Sequence, residues 1–430
     1  MIHIRYLLCS FFGVALMFST TGHTSGFRIP EMSAEGVALT NALVANPERS
    51  GAFPYNYATM IFQKDKQFSV EAIGVTAQFE VATKDPNAEV NTIENQSEDE
   101  IIPSLYYTHP INSDWSWGAH VGVPFGTGSI WPENTFSYFD TVDTLTGSGG
   151  AISGLHPTKS IIEIVNITPS VAYNIGSNVG VAIAVDYYVA KNVELNAVGS
   201  SAKGDGDGYG FAASIIGQKD DWTFGFTYHS EADIDIAGDI NIVGLGSTSV
   251  STEITLPARL QVGVNRKIKQ FSIEFDIERI GWSSYDKLTL TSKGGVIPTG
   301  TVISEATENF RDITNYRVGL TYQHNNKMHV LLGGGMEDKA QTDDYFDATV
   351  PDNQRFMLSI GLQYILEKDW TITGGYQYAW SKKRNYAGRS YLDQIVNSGG
   401  SNVDPNGADV YNGEYNQSIH LLGLGISKKL

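Results

Sequence analysis

The chain has 430 residues, 41% of them apolar and 11% aromatic, and its 47 acidic against 29 basic residues give a formal charge of −18. That balance has the wrong sign for neutralising phosphates, so no nucleic-acid partner is expected, and the aromatic content excludes a disordered chain. One apolar run approaches the length of a helical span, about a dozen residues from Leu7 to Phe18, which excludes a polytopic helical membrane protein and leaves a soluble secreted protein or a membrane β-barrel.

Taken in chain order, Arg5 supplies a positive start, Leu7–Phe18 an apolar stretch, and Ser19-Thr20-Thr21-Gly22 small residues before a cleavage point between Gly22 and Gly26. This reads as a secretory signal over residues 1–24. The single cysteine, Cys9, falls inside it, so the mature chain is expected to carry no disulfide, no thiol chemistry and no cysteine-ligated metal. Residues 25–67 mix small residues, Asn, Pro and Gly with short apolar pieces such as Val37-Ala38-Leu39 and Ala42-Leu43-Val44. They are too many for a tail and predict a plug, or hatch, within whatever residues 68–430 form.

From residue 68 onward the pattern has period two. Phe271, Ile273, Phe275 and Ile277 alternate with Ser272, Glu274, Asp276 and Glu278, for example. Strands are predicted near 68–81, 104–109, 115–124, 163–173, 179–188, 209–217 and 222–229. Seven more follow near 254–266, 271–279, 311–323, 328–336, 355–366, 370–378 and 418–428. Six tight turns alternate with seven long loops between these fourteen strands, and a soluble sandwich has no reason to sort its loops in that way. Lipid tolerates no open sheet edge, because an unpaired backbone group there costs on the order of several kcal/mol. The expected fold is therefore all-β: a fourteen-stranded antiparallel transmembrane β-barrel with an N-terminal hatch in its lumen. Aromatics at predicted strand ends, among them Trp222, Tyr228, Tyr316, Tyr322, Tyr364, Trp370 and Tyr378, suit interfacial girdles.

Several short blocks resemble the FadL/TodX family of long-chain fatty acid and hydrocarbon transporters of Gram-negative outer membranes. They are Ser25-Gly26-Phe27-Arg28-Ile29-Pro30-Glu31, Asn41-Ala42-Leu43-Val44-Ala45-Asn46-Pro47, Val123-Pro124-Phe125-Gly126, Gly208-Tyr209-Gly210-Phe211 and Trp222-Thr223-Phe224-Gly225-Phe226. Further along come Thr255-Leu256-Pro257-Ala258, Gly281-Trp282-Ser283-Ser284-Tyr285, Pro351-Asp352 and Leu421-Leu422-Gly423-Leu424-Gly425, so the likeness runs over nearly the whole mature chain. The resemblance implies a fourteen-stranded barrel with a hatch, the architecture reached above from loop lengths. Two departures stand out: the family's Asn-Pro-Ala hatch motif is matched by Asn56-Tyr57-Ala58, and the chain ends on Lys428-Lys429-Leu430 where the family usually ends on an aromatic.

Carried over by resemblance, Phe27 matches a phenylalanine lining the ligand site, although it could equally anchor the hatch, and Glu308 matches an acid before the tenth strand. The family's lysine two positions earlier is Ala306 here, which leaves Arg311, Arg317 and Arg259 as candidates to hold a carboxylate, since a guanidinium can do so bidentately. The alternative is that these arginines pair with inward acids such as Glu274, Asp276 and Glu278. Pro124, Phe125 and Gly126 end the predicted third strand, and a proline that cannot donate to the ladder beside a glycine marks a natural break in the wall. The resemblance implies a lateral gate at this point, against the plainer reading of a strand reaching its loop. Trp131, Phe136 and Phe139 on the following loop predict an exposed external capture groove, or else local loop packing. Gly204-Asp205-Gly206-Asp207-Gly208 reads as a loop and not as a phosphate or calcium motif. The histidines lack metal-ligand spacing, so no metal and no other cofactor is expected, and no hydrolase motif is present. The acidic cluster Glu94, Glu98, Asp99 and Glu100 reads as a solvated loop face, with divalent cations bridging lipopolysaccharide as the alternative.

The expectation is a non-enzymatic, monomeric outer-membrane channel that takes a hydrophobic small molecule, a long-chain fatty acid or similar, by passive diffusion with lateral release, among outer-membrane lipid and lipopolysaccharide. The alternatives are an aromatic or aliphatic hydrocarbon channel and a structural or surface-interaction barrel with a closed plug.

Overall fold

A computed structural model describes residues 25–83, 92–96, 99–176, 178–387 and 410–430. The segment read as a signal, with Cys9, and Glu98 of the acidic cluster lie outside the described residues. Fourteen strands form the wall. The first seven are β1 Gln67–Thr83, β2 Glu100–Pro110, β3 Trp115–Ile130, β4 Pro157–Gly176, β5 Val179–Ala197, β6 Ser200–Lys219 and β7 Trp222–His229. The rest are β8 Arg259–Ile268, β9 Phe271–Ile280, β10 Ile313–Gln323, β11 Met328–Glu337, β12 Arg355–Ile365, β13 Trp370–Ser381 and β14 Gly413–Lys429. Neighbours pair antiparallel in chain order, and β14 returns to β1 in unbroken register from Gln67↔Lys429 to Thr83↔Gly413. Closure leaves no strand at the end of an open sheet, as the period-two pattern in lipid requires.

The pattern sorts as its chemistry dictates. On β9, Phe271, Ile273, Phe275 and Ile277 face outward while Glu274, Asp276 and Glu278 are buried inside. At the short-turn end Phe271 stacks on Tyr322, Trp115 meets Tyr173, Arg266 lies over Trp222 and Lys428 over Trp370. These are girdle pairs, apolar rings carrying cations toward the headgroups.

The long connections hold more order than periodicity predicted. Strands Ala232–Ile242 and Gly246–Leu256 form a hairpin that extends β6 outward, and strands Lys287–Gly295 and Val302–Thr307 continue the same sheet. The strand expected over 254–266 is therefore two. Ile254–Leu256 ends the external hairpin, and β8 begins only after Pro257, which cannot donate to a ladder. Gly204 to Gly208, read as a loop, lies within β6, where the hairpin backbone passes so close to these glycines that a side chain at Gly204 would lie 2.8 Å from the carbonyl of Ala237. Likewise β3 does not end at Pro124-Phe125-Gly126 but bulges there and runs on to Ile130.

Residues 25–62 sit inside the barrel. A short helix α1, Ala34–Ala38, starts on Ser33, whose hydroxyl accepts from the Gly36 amide at 2.9 Å. Lumen-facing glycines receive the following turn. A methyl group at Gly333 would lie 2.5 Å from the Leu39 carbonyl carbon, at Gly375 2.7 Å from the Ala34 oxygen, at Gly225 2.7 Å from the Val44 carbonyl carbon and at Gly423 3.0 Å from the Ala34 Cα. Several of these glycines oppose one another across the ladders: Gly225↔Gly263, Gly319↔Gly333, Gly361↔Gly375 and Gly375↔Gly423. Together they form a collar moulded to residues 34–45. Wall carboxylates complete the seat. Glu71 accepts from the Ala34 amide at 2.9 Å, Asp276 from Leu43 at 3.0 Å and Val44 at 3.2 Å, and Glu274 from Ala45 at 2.6 Å. Backbone donors that the lumen hides from water are thus satisfied.

Candidate functional site

Above the collar the N-terminal residues meet the bulge of β3. The β2–β3 ladder runs from Pro110↔Ser116 only to Leu105↔Val121. Beyond it, Ile101–Ser104 ladder with β1 and Phe125–Ile130 with β4, but not with each other. The inner side of the parted strand is taken by the N-terminal segment. The Ile29 amide donates to the Pro124 carbonyl at 2.8 Å and the Gly126 amide donates to the Phe27 carbonyl at 2.9 Å. Past the parting, the wall resumes where the Gln96 amide donates to the Ile130 carbonyl at 2.9 Å. Pro124, Phe125 and Gly126 therefore line one side of an interruption in the wall.

This contact directs Phe27 into a cluster of buried rings. Its centroid lies 4.7 Å from Trp282, 5.4 Å from Tyr285 and 6.0 Å from Phe125, edge-on in each case. Phe310 packs on Trp282 and Tyr285, and Tyr188 on Phe125. Gly26, at φ +66°, makes the turn that aims Phe27; any side chain there would overlap the Trp282 indole. Trp282, Tyr285, Phe310 and Tyr188 were not singled out from the sequence as site residues. The usable signal was Trp282 and Tyr285 spaced by three across the short turn that follows β9.

The candidate arginines separate. Arg311 is half-exposed and paired with Asp338 at 2.9 Å, so it does not reach the site; it begins the approach to β10, where its side chain follows the loop outward. Arg317 is buried and lies 2.7 Å from both Glu278 and Glu337, and Glu337 also binds Arg355. Its charge is committed to inward acids, one of the alternatives weighed above. Arg28 lies 3.9 Å from Glu278 and donates to the Pro124 carbonyl at 3.1 Å. Arg259 differs from all of these. It is 2% exposed, and like Arg28 it lies over the Phe125 ring, at 5.4 Å, with two guanidinium nitrogens, Nε and Nη1, lacking a hydrogen-bond partner; what sets it apart is its ion pairing. Among the described residues it is the one buried arginine without a carboxylate at ion-pairing distance, although it feels Glu278 and Asp186 from farther away. A buried cation left incompletely paired beside an apolar cluster is costly until a further partner reaches it.

Glu308 is buried beside Tyr285 and Asp347, outside the membrane-spanning strands. Burial, with the Asp347 charge adding, pushes its carboxyl from 4.5 up to about 8. It is thus mainly protonated at neutral pH and does not neutralise Arg259. Because the unfolded state loses this proton first, stability is expected to fall as pH rises from about 4.5 to about 8. Thermal unfolding across that window should show the fall in the native chain, and Glu308→Gln should lessen it.

Below the cluster, Asn56 accepts from the Ala58 amide at 3.0 Å and donates to the carbonyls of Val44 at 2.8 Å and Ile215 at 3.1 Å. Tyr57, in the place of the motif's proline, sets its ring against Phe53 and His229. Ala58 is fully buried. The three hold the inner segment and lie apart from the ring cluster.

Trp131, Phe136 and Phe139 are not exposed. They are 2%, 1% and 0% exposed and pack with Tyr411, Phe346 and His156 into a cap over the external end. The exposed groove expected there is corrected: the helix Tyr138–Thr146 folds the loop back on itself and buries the rings. An apolar groove does occur elsewhere, between β5, β6 and the external strands, lined by Val193, Leu195, Ala202, Ile236, Val250 and Leu290. Its Val193 and Ile236 belong to the same buried apolar cluster as Phe27.

With this geometry in place, comparison with known proteins adds the following. The sequence profile described as outer membrane protein transport protein (OMPP1/FadL/TodX) matches residues 15–429. A long-chain fatty acid transport protein of Escherichia coli is 24% identical, with 85% of this chain and 89% of that protein covered. Outer membrane protein P1 of Haemophilus influenzae is 22% identical over 88% and 91%. Among solved structures, a Pseudomonas aeruginosa FadL homologue superposes with a TM-score of 0.76 at 16% identity, covering 94% of this chain and 99% of that one. The Pseudomonas putida toluene transporter TodX gives 0.64 at 14% identity, over 93% and 99%.

Proposed function

The chain belongs to the OMPP1/FadL/TodX family and is an outer-membrane β-barrel of a Gram-negative bacterium, and we propose that it takes up long-chain fatty acids or similar hydrophobic molecules by passive diffusion, releasing them sideways at β3. The observation that carries this reading is the adjacency of three features: a buried ring cluster, the incompletely paired Arg259 and the interrupted β2–β3 ladder. An alkyl tail is bound by burial alone, at roughly 0.8 kcal/mol per CH₂, and Arg259 supplies a place for its carboxylate. The groove lined by Val193 and Ile236 is the capture surface, since it joins the cluster that holds Phe27. Residues 25–67 act as the hatch, residues 68–430 as the barrel, and the path turns outward above the collar. The protein works as a monomer, with lipopolysaccharide around its external strands. The Escherichia coli relative is a long-chain fatty acid transport protein.

A second reading, uptake of hydrocarbons, is favoured by Ala306 in the lysine's place and by ring-rich walls; structurally similar proteins include monoaromatic hydrocarbon channels. Uptake of labelled oleate by cells lacking their own transporter tests the first reading. Expression should raise uptake severalfold, and Arg259→Met should reduce it about tenfold or more, as expected for a charge-assisted bond worth ~1.5–3 kcal/mol. Oleate uptake that is unaffected by Arg259→Met, together with uptake of dodecane, would select the hydrocarbon reading.

A further inference from the structure

The phenyl ring of Phe27 does not merely border the ring cluster; it fills it. Its centroid lies 4.7 Å from Trp282 with 64° between planes, 5.4 Å from Tyr285 at 76°, and 6.0 Å from Phe125 at 62°. The walls keep the same relation among themselves, with Trp282 and Phe310 at 5.8 Å and 61° and Trp282 and Phe125 at 6.3 Å and 89°. Each contact sets the positive edge of one ring against the negative face of another, the arrangement ring quadrupoles prefer. An alkyl chain can match the volume of the occupant but not its quadrupole. Phe27 is fully buried, so the space it occupies is a slot of one benzene ring, built before any ligand arrives.

Beside that slot stand two buried guanidinium groups. Arg259 lies over the far face of the cluster, 5.4 Å from the Phe125 centroid, and Arg28 lies 5.8 Å from the same centroid. Both leave two guanidinium nitrogens without partners, but Arg28 has Glu278 at 3.9 Å and Arg259 has no carboxylate at ion-pairing distance. One compact site thus offers two complementary features, a place for an aromatic ring and a place for a carboxylate, and neither a fatty acid nor a neutral hydrocarbon uses both. We propose that the favoured ligands are aromatic carboxylates, with an aryl ring in the position of the Phe27 phenyl and the carboxylate on Arg259. This rests on the uptake reading and narrows its substrate class.

Four probes of equal carbon count separate the contributions: ω-phenyloctanoate, ω-cyclohexyloctanoate, tetradecanoate and octylbenzene. Calorimetric binding to the full chain in nanodiscs is the readout, for the native chain and for Phe27→Ala and Arg259→Met. The phenyl acid is expected to bind about two- to tenfold tighter than its cyclohexyl twin, the worth of one edge-to-face pair, and tighter than tetradecanoate. Phe27→Ala should tighten phenyl-acid binding, because it vacates the slot; a residue that only lined the site would weaken it. Arg259→Met should erase the advantage of the phenyl acid over octylbenzene while leaving the phenyl-to-cyclohexyl ratio unchanged. Equal affinity of the two ring acids, tighter tetradecanoate, or weaker phenyl-acid binding in Phe27→Ala each overturns the proposal and leaves the uptake reading standing. Binding of none of the four removes both.

Discussion

Valine at Gly225 or Gly423 is expected to open the lumen to small ions while the barrel still folds. At both positions the nearest atoms to an added Cβ belong to the N-terminal segment: Val44 and Ala45 at Gly225, Ala34 and Val37 at Gly423. The barrel wall can therefore keep its register while the seat is spoiled. Overpacking costs ~1–3 kcal/mol, which multiplies the population of displaced segments by roughly five- to 150-fold. Planar-bilayer conductance should rise accordingly, and cells should become sensitive to polar antibiotics. The control is Gly74→Ala, where the nearest atom, the Leu422 carbonyl oxygen, is 3.8 Å away, and no change is expected there. Conductance that stays at the native level in both valine variants, with the segment shown by proteolysis to have moved, would mean that residues 25–67 do not act as a plug.

The collar also shows where sequence reading stops. The barrel was legible because lipid enforces period two on every strand and sorts loops by side; Phe271 to Glu278 display both faces without any knowledge of contacts. The inward phase of Arg259 and Arg317 was legible for the same reason. Which of the two carries an incompletely paired charge was not. Arg317 and Arg259 differ in what stands beside them, Glu278 of β9 and Glu337 of β11 for one and the Phe125 ring of β3 for the other. Collar glycines were equally silent, since a glycine in a strand reads as a weak position until the segment that fills its missing side chain is seen. Trp131, Phe136 and Phe139 misled in the opposite direction: aromatics in a polar loop look exposed, and only the fold of that loop showed them closing over Tyr411. The external strands were missed because their alternation, Ile234 and Ile236 against Asp233 and Asp235, belongs to a sheet standing outside the membrane, where no lipid band marks its ends.

Deleting Pro124 is the strongest test of sideways exit. Opposite Gly122 stands Asn166 and opposite Phe125 stands Ile164, so Val123 and Pro124 together face the single residue Val165. This one-residue excess is a bulge, and it bends β3 away from the path that would continue its ladder with β2. Removing Pro124 restores one-to-one register with β4 and replaces a residue that cannot donate with one that can. Ile101–Ser104, which ladder with β1 but not with β3, then regain a neighbour, and closure of the wall in lipid is strongly favourable. The barrel should therefore fold at least as well as before, judged by its resistance to denaturation in detergent. Uptake should drop to the level of cells without the protein, a loss of more than about tenfold if the proposed exit is the only one. Ligand binding, measured on the same preparation, should persist because Trp282, Tyr285 and Arg259 are carried by β8 and by the turn after β9, away from the β3 backbone on which Phe27 is seated. Retained binding with lost uptake assigns the gap to exit and not to capture. Retained uptake would instead route the ligand past the N-terminal segment to the periplasm, and the collar would then have to yield on every passage.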